Sequence, residues 1–136
     1  MKLIELQRSG KYVFHGSSNG NISELEPRQA MSHGKPYGKP AVYADIKIEH
    51  PIFMAVLGSK WVGGWGDLTL PGAGFYIDKK SWEKAHKENW LGYIYVLPKV
   101  DFISKEGNEW VAYKKVKPIE IIKVGISDLP KVITVR

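Results

Sequence analysis

Residues 92–124 read GYIYVLPKVDFISKEGNEWVAYKKVKPIEIIKV, and this stretch decides the fold class. Three runs within it are rich in aromatic and β-branched residues: Gly92 to Leu97, Trp110 to Val116 and Ile119 to Val124. Pro118 separates the last two, because proline has no amide hydrogen to give to a ladder. A fourth run follows at Val132 to Val135. Strands that succeed one another without an intervening crossover helix pair antiparallel.

The earlier half fits beside that sheet. Lys11 to His15 is a short β-type run that ends in the polar turn Gly16-Ser17-Ser18-Asn19-Gly20. Ile22 to Leu25 has the length of one helical turn before Pro27, and Arg28 to Pro40, rich in glycine, proline and polar residues, reads as a long loop. Ala41 to Ala44 reads as a strand. Pro51 to Leu57 reads as a buried helix with Pro51 in its first turn. After a glycine-rich segment at 61–74, Phe75 to Ile77 is a strand. Asp78 then caps a helix running from Lys79 to Trp90, with Trp82, Ala85, His86 and Trp90 on one face. Short strands dominate, with two helices in the middle. The expectation is one α+β domain spanning residues 1–136.

Composition narrows the function classes. With 43% hydrophobic and 25% charged residues the chain has a globular composition, and no apolar run approaches the length of a bilayer crossing. Glu5 and Arg8 interrupt any signal-peptide core, so a cytoplasmic protein without a membrane partner is expected. There is no cysteine, which excludes disulfides, thiolate catalysis and cysteine-based zinc sites. His33, His50 and His86 lack ligand-like spacing, so no metal is expected. The net charge of +6 comes from 20 basic residues of which 17 are lysine. Lysine gives solubility more readily than the forked phosphate recognition that arginine offers. Trp61 and Trp65, in their glycine-rich setting, are candidates to line a pocket.

Three segments carry chemistry. They are Phe14-His15-Gly16-Ser17 at a strand end, Gly38-Lys39-Pro40-Ala41-Val42-Tyr43-Ala44-Asp45, and Asn108-Glu109-Trp110-Val111-Ala112-Tyr113 opening a late strand. In that order they resemble the ADP-ribosyltransferase superfamily, in its His-Tyr-Glu branch that includes the poly(ADP-ribose) polymerases. The ending from Val116 to Val124 and the short chain are similar to the small bacterial rifampin ADP-ribosyltransferases. The resemblance implies a split antiparallel β-sandwich with a few short helices and NAD+, as substrate, in a cleft between its halves.

It also implies roles. Cleaving the nicotinamide–ribose bond builds positive charge on the ribose, which the Glu109 carboxylate would stabilise. His15 would orient the same ribose, the Gly16 backbone would pair with the nicotinamide amide, and Ser17 would assist. Aligning on Ala44-Asp45 sets Val42 opposite the family's tyrosine, so either the register shifts by one and Tyr43 stacks on nicotinamide, or Phe53 supplies the ring. Arg28 lies where a basic residue would meet the diphosphate. The chain has neither GxGxxG nor a Walker motif, so NAD+ bound as on a doubly wound sheet is not expected. The implied activity is mono-ADP-ribosylation of a protein, a nucleic acid or a small molecule. The alternatives are an RNA 2′-phosphotransferase-like enzyme, against which three arginines argue, and a non-catalytic module binding NAD+ or ADP-ribose.

Overall fold

The computed structural model describes residues 2–58, 63–65 and 74–136, with the backbone alone at Ser32, Tyr37 and 63–65. The element order is α1 (Lys2–Ser9), β1 (Tyr12–Ser17), β2 (Arg28–Ser32), β3 (Lys35–Asp45), α2 (Glu49–Val56), β4 (Gly63–Trp65), β5 (Phe75–Ile77), α3 (Lys79–Glu88), β6 (Leu91–Pro98), β7 (Ile103–Glu106), β8 (Glu109–Ala112), β9 (Glu120–Gly125) and β10 (Ile133–Val135). This is a mixed α+β protein, with three α-helices and antiparallel sheet among the described residues, the class that residues 92–124 lead one to expect.

The chain forms two compact units. The first comprises Met1–His15, Asn21–Ile48 and Tyr95–Ile121. Its strands run in the order β7-β8-β3-β1-β6, with β2 also paired to β3. The ladders β2/β3, β1/β3, β3/β8 and β7/β8 are all antiparallel. Val13, Phe14, Tyr95 and Val96 are almost wholly buried here, as are Val111 and Ala112. Helix α1 contributes Leu3 to this core, and the Gln7 side chain accepts the Ile48 amide at 2.8 Å.

The second unit comprises Gly16–Gly20, Glu49–Ile94 and Ile122–Arg136. It holds a three-stranded sheet, β10-β5-β4, in which β10 runs parallel to β5 and β4 antiparallel. Helix α2 buries Ile52, Phe53, Ala55 and Val56, and Phe53 stacks on Phe75 with ring centroids 4.7 Å apart. Helix α3 starts where expected: the Asp78 side chain accepts the Ser81 amide at 2.9 Å, and hydrogen bonds from the Ser81 side chain and then from this amide hold its carboxyl below the ordinary aspartate value. It stops at Asn89, which takes a left-handed conformation.

Several expectations are corrected. Arg28 to Pro40 is not a loop but a β-hairpin that continues into the Ala41–Asp45 strand. Ser32 pairs with Lys35, and the two residues between, His33 and Gly34, both take positive φ (52° and 77°). Two positive angles define a primed turn, whose twist matches that of paired strands. The hairpin prolines are compatible with sheet because their absent donors fall where no ladder bond is needed. Ile22 to Leu25 is not helical: Leu25 and Val116 exchange backbone hydrogen bonds at 2.8 and 2.9 Å. That bridge takes Val116 out of β8, which ends at Ala112. Strand β7 and helix α1 are additions. On α3 Ala85 is buried, as is Trp90 just beyond the helix end, but His86 faces solvent, its Nδ1 2.8 Å from the Trp82 carbonyl. Trp61 and the Trp65 side chain lie outside the described residues.

Candidate functional site

The first unit gathers most of the residues the sequence singles out. Strands β8, β3 and β1 are neighbours in that order. Asp45 on β3 stands opposite Glu109 on β8 and opposite Phe14 on β1, so one rung crosses all three strands. Glu109 opens its strand because the Gly107-Asn108 turn folds β8 back on β7, and the Asn108 carbonyl accepts the Ile46 amide at 2.9 Å. Glu109 is half-buried. Glu106 of β7 faces it from the other side, so three carboxylates, Asp45, Glu109 and Glu106, stand in a row. Asp45 turns toward its own backbone, accepting the Lys47 amide at 2.8 Å. Among the described residues no three acidic or histidine side chains gather closely enough to hold a metal ion.

His15 follows Phe14 on β1. Its Nδ1 lies 2.7 Å from the Tyr43 carbonyl oxygen, and its ring meets Tyr95 edge-on at 6.4 Å. A carbonyl can only accept, so Nδ1 carries the proton and the neutral ring keeps the Nε2 lone pair. Burial holds the imidazole pKa below its ordinary value; the Tyr43 carbonyl opposes this and the Arg28 guanidinium adds to it. His15 is therefore neutral at pH 7, a hydrogen-bond acceptor at Nε2 with a cation nearby. Arg28 reaches this neighbourhood because β2 is part of the hairpin, its residue 28 paired with Ala41.

Strand parity sorts the remaining side chains. Residues two apart share a face and directly opposed residues share a face. Tyr43 therefore sides with Asp45, Glu109 and Phe14, and Val42 lies on the other side, buried. Of the two registers open in the sequence, the one with Tyr43 joins the Glu109 face. The Tyr43 hydroxyl is buried and has no hydrogen-bond partner among the described residues. Such a group costs free energy unless something outside the chain satisfies it. The same parity turns His15 away from that face in a regular strand. The recorded β1–β3 pairing covers Phe14 and Asp45 alone, and beyond it the imidazole is what bonds the Tyr43 carbonyl. A backbone carbonyl points along the sheet plane, so the ring sits where β1 and β3 part.

The other candidates belong to the second unit. Gly16 is needed there for a packing reason: a Cβ would stand 2.0 Å from the Pro51 carbonyl oxygen of α2. The Ser17 hydroxyl accepts the Asn19 amide at 3.1 Å and shapes the following turn. Phe53 is fully buried, its ring packed on Phe75. Sequence reasoning passed over two features of the first unit. One is Lys105, whose ammonium lies 5.3 Å from the centre of the Tyr43 ring, and the other is the carbonyl anchor of His15. Neither leaves a local pattern, because each joins segments far apart in the chain.

Fold and site together define a small α+β protein with an ionisable, partly buried site on three adjacent strands. No protein-family model, curated protein or solved structure matches the chain. No helix among the described residues is long and apolar enough to cross a membrane.

Proposed function

We propose that the protein is an NAD+-dependent mono-ADP-ribosyltransferase. The observation that supports this reading is that β1, β3 and β8, the strands that carry His15, Tyr43 and Glu109, are neighbours in one sheet. Two strand spacings separate β1 from β8, about 10 Å. In the reaction the C1′–N bond breaks with its electron pair leaving on neutral nicotinamide. An acceptor nitrogen or oxygen bonds C1′ and releases its proton to solvent.

The chain's own residues have distinct parts in this. Glu109 opposes the positive charge that develops on the ribose, and its half-buried position strengthens that effect over a fully solvated acid. His15, fixed by the Tyr43 carbonyl, accepts a ribose hydroxyl at Nε2 from the gap at the end of the β1–β3 pairing. The buried Tyr43 hydroxyl gains the partner it lacks. Arg28 stands beside His15 with a charge suited to the diphosphate. Purified protein should bind NAD+ and release nicotinamide, and Glu109→Gln should slow release about 100-fold or more while leaving binding nearly intact. Wild-type protein that leaves NAD+ untouched with protein, nucleic-acid and small-molecule acceptors alike removes the reading.

A binding-only module is the second reading, favoured by Lys105, which lies over the Tyr43 ring where nicotinamide would stack. Tight nucleotide binding without nicotinamide release, unchanged by Glu109→Gln, would establish it instead.

A further inference from the structure

The β2–β3 hairpin has a property the catalytic reading does not use. From Pro27 to Ala44 it contains no acidic residue, yet it carries Arg28, Lys35 and Lys39. Lys39 places its ammonium 3.9 Å from the centre of the Tyr113 ring, which is itself 44% exposed and thus open to a ligand. Lys105 of β7 leans toward the hairpin: its ammonium lies 5.3 Å from the Tyr43 ring centre and 3.8 Å from where a side chain on Gly38 would begin. Neither Arg28 nor Lys39 has a carboxylate partner among the described residues. Lys114 and Lys115, by contrast, pair with Asp101 and Glu26. The first unit therefore presents cations interleaved with tyrosine rings, continuous with the face that holds Glu109.

We infer that this strip, formed by Lys39, Lys105 and Tyr113 beside the residues assigned to NAD+, docks single-stranded nucleic acid, which is the acceptor class of the proposed transferase. Charge complementarity points to a polyanion, and the aromatic rings choose among polyanions. Bases of a single strand stack on tyrosine whatever their sequence, while the phosphates meet the lysines. An acidic peptide has no use for the rings, and a duplex hides its base faces. Cations that are lysines fit sequence-tolerant binding, since lysine meets a phosphate as a point charge without the fork that reads base edges. Only the acceptor role rests on the transferase reading; the docking surface does not.

The test is fluorescence anisotropy of the full chain, without NAD+, using labelled oligothymidylate and oligouridylate of about 12 nucleotides. Binding should weaken steeply between about 50 and 200 mM salt. The double variant Lys39→Glu/Lys105→Glu should lose about tenfold or more in affinity and flatten the salt dependence by about two phosphate contacts. Tyr113→Ala should weaken binding with the salt slope unchanged, because stacking releases no counterions. Lys80→Glu/Lys87→Glu on α3 makes the same charge change elsewhere and should bind as wild type does. Circular dichroism of each variant separates lost binding from lost fold. Wild-type affinity in the Lys39/Lys105 double variant overturns the proposal, as does equal binding of a matched duplex or of polyglutamate. Binding through the strip with no NAD+ turnover keeps the docking surface and removes the transferase. Turnover with an acceptor whose binding ignores the strip does the reverse.

Discussion

His15 and His50 are both held below the ordinary histidine pKa by burial, but they occupy different surroundings. His50, at the start of α2, lies nearly parallel to Phe75 with 6.3 Å between ring centres, and burial alone takes its pKa to about 4. His15 has burial too, with a backbone carbonyl fixing its tautomer and an arginine alongside. Burial neutralises both rings. The carbonyl orients the His15 ring and leaves it a defined lone pair beside a neighbouring charge. A shifted pKa thus marks a buried histidine, and geometry tells a poised one from a packed one.

The first way to break this comparison is at the packed histidine's own cluster. Phe53→Ala removes the ring stacked on Phe75 and should cost about 3–5 kcal/mol in denaturant unfolding. A loss below about 1 kcal/mol would mean that Phe53 is not the core ring described.

Next in size is Glu109→Gln. Its expected loss in nicotinamide release corresponds to about 2.7–4 kcal/mol of transition-state stabilisation, with unfolding free energy changed little. The two variants together separate the units: one should unfold the protein and spare the chemistry per folded molecule, the other the converse.

Acid should then read the histidines directly. With a folded pKa of about 4 against 6.5 unfolded, His50 binds more protons in the unfolded chain between those values. Stability is therefore complete above pH 6.5 and declines as pH falls toward 4, by about 3 kcal/mol for this residue. His15 acts in the same direction. His50→Phe should flatten the decline, measured as unfolding free energy against pH; an unchanged slope would place the titrating group elsewhere.

The smallest effect is the most discriminating. Tyr43→Phe deletes a buried hydroxyl without a partner and should leave stability unchanged or raise it by about 1 kcal/mol, while weakening NAD+ binding. A marked loss of stability would show that the hydroxyl already has a partner in the free protein.

Legibility in the sequence follows the range of the interaction. The α3 cap, the β5 and β6 strands and the α2 helix are local, written in Asp78, in Phe75 to Ile77, in Gly92 to Leu97 and in the apolar run after Pro51. The β2–β3 hairpin was hidden because its turn uses His33-Gly34, and a histidine at positive φ is a weaker signal than asparagine in the same place. Helix α1 escaped because a single residue, Leu3, anchors it in the core. Of the candidate site, His15, Tyr43 and Glu109 could be picked out by type and order. Their neighbours could not: Asp45 opposite Glu109, Lys105 over Tyr43 and Arg28 near His15 all depend on strand pairing between distant segments.

Residue order alone set the α+β class, the strand-rich second half and which side chains have chemistry worth testing, because periodicity, turn residues and caps act within a few positions. Strand register did the rest. It chose Tyr43 over Val42 for the Glu109 face, gave Gly16 its packing role and made a hairpin out of what reads as a loop. Backbone pairing between remote strands decides which side chains face one another, and a one-residue slip reverses every such choice.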